Sequence, residues 1–159
     1  MNKRFLAFAA AVIMALCAVL PAAAQEDEVP GYSAEYPYYS DSFTVTGEDR
    51  ASYFYSYSLA ISSPHTGQIK TELSVTAVQS MKKLGFTSLT LYHWSGGSWE
   101  TVMTVTDQYL TNTDYFFYTT TRTGLSSGHV YRVIVELYAK KGFLQTQTIS
   151  LTSDNMVCR

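Results

Sequence analysis

Between residues 53 and 152, apolar and polar residues alternate in short segments that end at turn residues. A period of two puts alternate side chains on the same face of a β-strand, so this pattern predicts half-buried strands. Two runs show it most clearly: Tyr53, Tyr55, Tyr57, Leu59 and Ile61, and then Ile69, Leu73, Val75 and Ala77. In the first run we expect the three tyrosines to share one core-facing side, with their hydroxyls at its rim.

Further strands are expected along the rest of the chain, each bounded by turn residues. They are predicted over residues 84–94, 99–105, 114–121, 131–140 and 143–151, and Phe43 and Val45 indicate a short edge strand before the tyrosine run. Within 131–140, the alternation turns four residues towards the core and three towards solvent: Tyr131, Val133, Val135 and Leu137 inward, and Arg132, Glu136 and Lys140 outward. The segment 79–83 predicts either one helical turn or a loop.

The whole pattern predicts an all-β fold, an antiparallel sandwich of about seven or eight strands. We expect the sandwich to span residues 41–152 and to be followed by a C-terminal tail, residues 153–159. Residues 25–40 are expected to form an acidic, Tyr/Pro-rich linker or arm, because Pro30 and Pro37 cannot donate to a strand ladder and disfavour helix. The 13 tyrosines of the chain agree with a strand-rich fold, since tyrosine is enriched in strands.

Two tryptophans flank a predicted tight turn. The turn sequence Ser95-Gly96-Gly97-Ser98 has two adjacent glycines, which favour the positive φ angles of a two-residue hairpin turn, and Trp94 and Trp99 lie on either side. The two rings either stack across the hairpin and stabilise it or, together with Tyr92, form a surface for sugar rings or a protein partner. Trp94, Trp99 and Tyr92 are therefore the candidate ligand-binding residues.

The N-terminus has the three parts of a secretory signal peptide. Lys3 and Arg4 supply positive charge, residues 5–20 are apolar, and three small alanines precede a cleavage site between Ala24 and Gln25. An uncleaved transmembrane anchor is the alternative, but the apolar run is shorter than the ~20 residues that a membrane-spanning helix needs. We therefore predict that residues 1–24 are a signal peptide and that the protein is secreted.

Processing would leave an acidic chain with one cysteine. Cys17 lies within the apolar run and does not follow the small residue that lipid attachment requires, so it would leave with the signal peptide. Cys158 would then be either a frayed terminal thiol in a monomer or a disulfide link to a second chain. Loss of Lys3 and Arg4 leaves nine cationic and 13 anionic residues, a net charge of −4. With no basic stripe evident, neither nucleic acid nor a membrane surface is an expected partner.

Residues 125–135 resemble the penultimate strand of fibronectin type III domains, which are immunoglobulin-like sandwiches. In that pattern a leucine precedes a tyrosine by six residues and alternating valines follow; here these residues are Leu125, Tyr131, Val133 and Val135. The resemblance implies a tyrosine corner, in which the Tyr131 hydroxyl bonds back to the backbone of the preceding loop and Leu125 packs beside it.

This resemblance covers about residues 50–152 and departs from the family at one point. The buried tryptophan of the family is not found at residues 68–78, so Tyr57 or Trp94 would have to take its place. The tryptophan hairpin followed by the sequence Tyr131-Arg132-Val133 also gives the chain a resemblance to small exported proteins of Gram-positive bacteria. That resemblance implies export and no particular chemistry.

Three short sequences match catalytic motifs without the context that those motifs need. Gly124 to Gly128 fits G-x-S-x-G, but a strand is predicted after it, where the nucleophile elbow needs a helix. Ser80 and Lys83 fit S-x-x-K, and residues 153–155 fit S-D-N, yet both motifs operate within a large helical domain. The three histidines lack zinc-site spacing: His65, His93 and His129. We therefore expect no catalytic residue, no metal ligand and no cofactor.

These features predict a secreted, non-catalytic binding module whose partner is an extracellular protein or a glycan. The first alternative is a carbohydrate-binding module that uses exposed tryptophan and tyrosine. The second is an extracellular hydrolase, which would require His93 or His129 to lie beside an acidic residue in a polar cleft. Since one fold hosts many functions, the choice depends on the site.

Overall fold

A computed structural model describes residues 53–159. They form eight β-strands: β1 (Phe54–Ser62), β2 (Gln68–Met81), β3 (Lys83–Ser95), β4 (Ser98–Leu110), β5 (Thr113–Thr123), β6 (Val130–Lys140), β7 (Thr146–Thr152) and β8 (Met156–Val157). One sheet has the order β1-β2-β5 and the other β4-β3-β6-β7, with β8 paired to β6. All pairs are antiparallel, so the predicted all-β sandwich is confirmed. The described residues include no helix long and apolar enough to span a membrane.

The core lies between the two sheets and is built from every second residue of the longest strands. On β2 the predicted inward series is buried and also includes Thr71, which is 3% exposed. On β6 the inward series from Tyr131 to Ala139 is likewise buried. Because successive side chains of a strand point to opposite faces, the residues between them lie on the outer surfaces of the sandwich.

A bulge in β1 changes the face on which one of the three tyrosines lies. The register between β1 and β2 shifts between Phe54 and Ser56, which makes Tyr55 an extra residue. Phe54 is buried in the core, whereas Tyr55 is 61% exposed. The prediction that three tyrosines share a core-facing side is therefore wrong for Tyr55. Tyr53 and Tyr57 do pack, half-buried, against the core.

A second irregularity explains the spacing of the buried residues on β3. Phe86 and Leu89 are both fully buried although three positions separate them. The register between β3 and β6 shifts between Phe86 and Ser88, so one extra residue reverses the alternation at this point. Gly85 lies beside the shift, where a Cβ atom would be 2.0 Å from the backbone oxygen of Gln108. The backbone of β4 therefore comes too close to β3 for any side chain there.

The chain passes from the first sheet to the second through a single residue, Lys82. Met81 ends β2 with a fully buried side chain, and Lys83 begins β3. The predicted helical turn or loop at 79–83 is therefore wrong, because the strand continues to the corner. Ser80 and Lys83 consequently lack the one-turn helical spacing that the S-x-x-K motif needs.

The last long strand starts later than predicted, at Thr146 rather than residue 143. Phe143 and Leu144 lie in the turn between β6 and β7, and each is 86% exposed. The backbone N–H of Lys141 donates to the carbonyl of Gln145 at 2.9 Å. This hydrogen bond closes the turn and leaves the two apolar side chains outside it.

Residues 153–159 pack against the sandwich, so the predicted tail is wrong. The Ser153 hydroxyl is buried and accepts a hydrogen bond of 2.8 Å from the N–H of Val133. Beyond it, β8 pairs with the start of β6. Cys158 is 0% exposed, and its backbone N–H donates to the carbonyl of His129 at 2.9 Å. The thiol is therefore not frayed, and a disulfide to a second chain would require this segment to leave its place.

Several sequence predictions fall outside the described residues. They are the signal peptide at 1–24 with its cleavage site, the arm at 25–40, the edge strand at Phe43 and Val45, and the expected beginning of the sandwich at 41. These remain predictions.

Burial of Cys158 predicts a thiol that is unreactive until the C-terminal segment opens. In the chain that begins at Gln25, where Cys158 is the single cysteine, we expect the thiol to react with a disulfide reagent at least about 100-fold more slowly in native buffer than in urea, because reaction requires local opening. A non-reducing gel of the oxidised native protein should show monomer. Rapid native labelling or a stoichiometric disulfide dimer would contradict the packing described here.

Candidate functional site

The turn between β3 and β4 has the predicted hairpin form. Gly96 and Gly97 have φ angles of 54° and 82°, and two successive positive values fit a type I′ turn. Trp94 pairs with Trp99 across the hairpin, with ring centroids 5.1 Å apart and planes at 63°. Both tryptophans are half-buried. The rings therefore hold each other across the hairpin and still leave part of their surface to solvent.

Tyr92 and Arg132 extend this pair on the outer face of the five-stranded sheet. They are direct neighbours across β3 and β6. Leu91 before Tyr92, and Tyr131 and Val133 on either side of Arg132, are buried in the core, so Tyr92 and Arg132 point outward. The guanidinium carbon of Arg132 lies 4.1 Å from the centroid of the Trp99 ring and 5.8 Å from that of Tyr92. These are cation–π distances. We call Tyr92, Trp94, Trp99 and Arg132 the aromatic–arginine cluster.

The positive charge of this cluster has no acidic partner within residues 53–159. Among residues 53–159, Lys70 and Glu72 on β2 form an ion pair, whereas no carboxylate oxygen lies within 4.0 Å of a guanidinium nitrogen of Arg132. The Nε atom of Arg132 is buried and has no hydrogen-bond partner among the described residues. The guanidinium is flanked by aromatic rings instead, so the cluster presents an apolar surface and an uncompensated charge together.

The sequence identified the three rings of the cluster but not its cation. Alternation along β6 already pointed Arg132 outward. Its contact with Trp99 depends on the register between β3 and β6, which local alternation does not give. The sequence feature that could have indicated Arg132 is its outward position on a strand able to pair with the tryptophan hairpin.

The structure forms the contact that the tyrosine corner implies. The Tyr131 hydroxyl accepts a hydrogen bond from the N–H of Ser126 at 3.1 Å and lies 3.4 Å from the carbonyl of the same residue. Leu125 packs, half-buried, against the core. Burial raises the pKa of Tyr131, although the hydrogen bonds from Ser126 act in the opposite direction. The corner fixes the loop before β6 and hence the start of the strand that carries Arg132.

A pair of histidines lies beside this corner, at the end of β3. Nε2 of His93 and Nδ1 of His129 are 2.7 Å apart, and the His93 ring stacks on Tyr131 with centroids 5.1 Å apart. Partial burial lowers the pKa of His93, nearby His129 lowers it further, and Glu100 opposes both effects. His93 therefore hydrogen-bonds to His129 and has the acidic Glu100 as its cross-strand neighbour on β4. Such an acid beside a histidine is one of the two features that the hydrolase alternative needs, and the other is a polar cleft around the pair.

The remaining catalytic matches lie in loops with structural contacts. Gly124 and Gly128 have φ angles of 72° and 78°, and between them the backbone of Ser126 is bound by Tyr131. A strand, β6, follows this loop. The Ser153 hydroxyl of the S-D-N match is occupied by backbone groups. In the part of the chain that the structure describes, no three His, Cys, Asp or Glu side chains converge as a metal site would require.

The tyrosine corner predicts a measurable stability loss in Tyr131→Phe. Removing the hydroxyl leaves the N–H of Ser126 without this partner, so the free energy of unfolding should fall by about 1–2 kcal/mol. The matched control is Tyr138→Phe on the same strand, whose ring contacts Tyr109; we expect a change of about 0.5 kcal/mol or less there. Urea unfolding at neutral pH measures both, and equal effects would contradict the role of the corner.

The lowered pKa of His93 predicts that the fold weakens in mild acid. Because the folded protein holds this pKa below its ordinary value of 6.5, the unfolded chain takes up the proton more readily. This contribution to stability is complete above pH 6.5 and is lost as the pH falls from there through the lowered native pKa. Across this pH range, the free energy of unfolding measured in urea should fall less for His93→Gln than for the parent chain. The control is His65→Gln, at an exposed turn position, whose free energy of unfolding should fall with pH as in the parent chain. If the fall in His93→Gln also equals that of the parent chain, the assignment to His93 is wrong.

Comparison of this chain with protein-family models, curated proteins and solved structures finds no match. The geometry of the described residues therefore has to carry any functional assignment. Two features of that geometry are relevant: the aromatic–arginine cluster, and the tyrosine corner that fixes the strand beneath it.

Proposed function

We propose that this protein is an exported, non-catalytic binding module and that the aromatic–arginine cluster is its ligand-contacting surface. The observation that carries the proposal is the convergence of three aromatic rings beside the unpaired Arg132 on an outer sheet face. Tryptophan, tyrosine and arginine dominate binding energies more often than other residues, and the two aromatic types supply large contact areas at a low entropic cost. The fold already holds all three rings half-buried, so little further ordering is needed.

The resemblance to fibronectin type III domains supports an interaction module over an enzyme. The three-stranded sheet, the five-stranded sheet built on the order β4-β3-β6-β7, and the contact between Tyr131 and Ser126 are compatible with that resemblance. Trp94 lies on the outer face, so of the two candidates for the family's buried tryptophan only Tyr57, which packs against the core, is compatible. Export, cleavage after Ala24 and a Gram-positive source belong to the same proposal and rest on sequence.

A carbohydrate is the ligand class that the surroundings of the cluster favour. Thr101 pairs opposite Tyr92 and so lies on the same outer face, and the hydroxyls of Thr90 and Thr104 share a hydrogen bond of 3.2 Å nearby. Hydroxyl groups of this kind can donate to and accept from sugar hydroxyls, while aromatic faces pack against the sugar ring. The unpaired Arg132 suits an acidic sugar, because a guanidinium binds a carboxylate with two hydrogen bonds.

Loss of one cluster residue should weaken ligand binding at least about tenfold, as expected for central aromatic and arginine contacts. The variants are Trp99→Ala and Arg132→Gln in the chain that begins at Gln25. Ligands are first sought on a glycan array and in pulldowns from bacterial and host surface extracts, and affinities are then measured by fluorescence titration. Both tryptophans of the chain belong to the cluster, so a change in tryptophan fluorescence reports on this site.

The matched control is Tyr115→Ala, which removes a ring that is 51% exposed on β5 of the other sheet. We expect its affinity to equal that of the parent chain. If Tyr115→Ala loses binding while the cluster variants keep it, the ligand surface lies elsewhere. If no glycan and no surface extract is bound, the proposed function is wrong. Thermal unfolding of each variant separates loss of binding from loss of fold.

A further inference from the structure

Four lysines lie at the end of the five-stranded sheet that is opposite the tryptophan hairpin. Lys83 at the start of β3 pairs directly with Lys140 at the end of β6. Lys82 precedes the first of these and Lys141 follows the second, which brings four of the chain's 11 cationic residues together. We call Lys82, Lys83, Lys140 and Lys141 the basic end. The sequence showed two separate lysine pairs and no basic stripe, because their proximity depends on strand register.

The charges of the basic end have no acidic partner within the described residues. None of the four lysines forms an ion pair there, and the Lys83 ammonium lies 5.0 Å from the centre of the Tyr109 ring. Lys82, Lys83 and Lys141 are exposed. The basic end is therefore a local positive surface on a chain whose formal net charge is −2.

Two apolar side chains project beside this surface. Phe143 and Leu144 directly follow Lys141 and Gly142 in the turn between β6 and β7, and each is 86% exposed. They are the most exposed large apolar residues of the described chain. Two residues at a turn tip offer far less than the ~800 Å² per partner of a standard protein interface. A lipid bilayer with anionic headgroups is a better partner for these two residues, because its acyl chains can accept single side chains beneath a negatively charged surface.

We propose that the basic end docks the protein peripherally on an anionic phospholipid surface. Phe143 and Leu144 insert at the level of the acyl-chain boundary, while the four ammonium groups lie among the lipid headgroups. Each lysine near such a surface strengthens binding by about fivefold. The apolar side chains add the free energy of leaving water. The two contributions act together, as stable anchoring of this kind generally requires.

Docking at this end leaves the aromatic–arginine cluster free. Arg132 and Lys140 lie on one strand, eight residues apart, a separation of about 26 Å along the sheet. The described chain also begins at the basic end, since the N–H of Tyr53 donates to the side-chain oxygen of Gln147 at the start of β7. A membrane at the basic end would therefore orient the cluster outward.

Vesicle co-sedimentation tests the proposal with the chain that begins at Gln25. We expect binding to phosphatidylcholine vesicles that contain phosphatidylglycerol, little binding to pure phosphatidylcholine, and release at high salt. Phe143→Ser/Leu144→Ser and Lys140→Gln/Lys141→Gln should each weaken binding at least about tenfold. The matched control is Tyr115→Ser/Phe117→Ser, which removes two exposed aromatic side chains from the other sheet and should bind like the parent.

Three outcomes would overturn the proposal: no binding of the parent chain to anionic vesicles, equal binding to both vesicle types, or an equal loss in the control. Capture from a lipid-free extract that depends on Phe143 would assign the surface to a protein partner and overturn it as well. Arg132→Gln should sediment with vesicles like the parent chain. A failure of vesicle binding is therefore separate from a failure of ligand binding at the cluster.

Discussion

The antiparallel register between β3 and β6 determines which residues meet at each end of the five-stranded sheet. It places Tyr92 beside Arg132 and His93 beside Tyr131 at one end, and two lysines of the basic end opposite each other at the other. Buried side chains on both strands hold this register, because a slip of one residue would turn the whole inward series to solvent. Both proposed surfaces therefore depend on the same apolar pairing in the core.

Much of the fold could be predicted from local patterns in the sequence. The alternation on β2 and β6, the hairpin at Gly96 and Gly97 and the tyrosine corner at Tyr131 each have a cause within a few residues of sequence. The exposure of Tyr55 has no such cause, because its bulge comes from pairing with β2. The burial of Cys158 likewise results from hydrogen bonds to a loop distant in sequence.

Some residues of the candidate site could likewise be predicted from local sequence, whereas others depend on strand pairing. Its two tryptophans were identifiable because they flank a turn with a recognisable sequence. Arg132 was visible as an outward residue, but its stacking on Trp99 depends on two strands meeting in one register. The clustering of Lys83 with Lys140 has the same origin. Sequence reasoning could thus give the direction of each side chain, and strand pairing was needed to give its neighbours.

The C-terminal segment ties together the loops that support the aromatic–arginine cluster. The carbonyl of Arg159 accepts from the N–H of Gly67 at 2.8 Å, and that of Cys158 accepts from Gly128 at 2.8 Å. The carbonyl of Gly67 in turn accepts from Leu125 at 3.0 Å. These bonds join the turn after β1 to the loop that carries the tyrosine corner, and so to the start of β6. Supporting contacts of this kind keep a binding residue in its geometry, and here they hold the backbone of the strand whose Arg132 lies against the Trp99 ring. Residues 153–159, which pack against the sandwich through β8 and the buried Cys158, therefore supply part of that support.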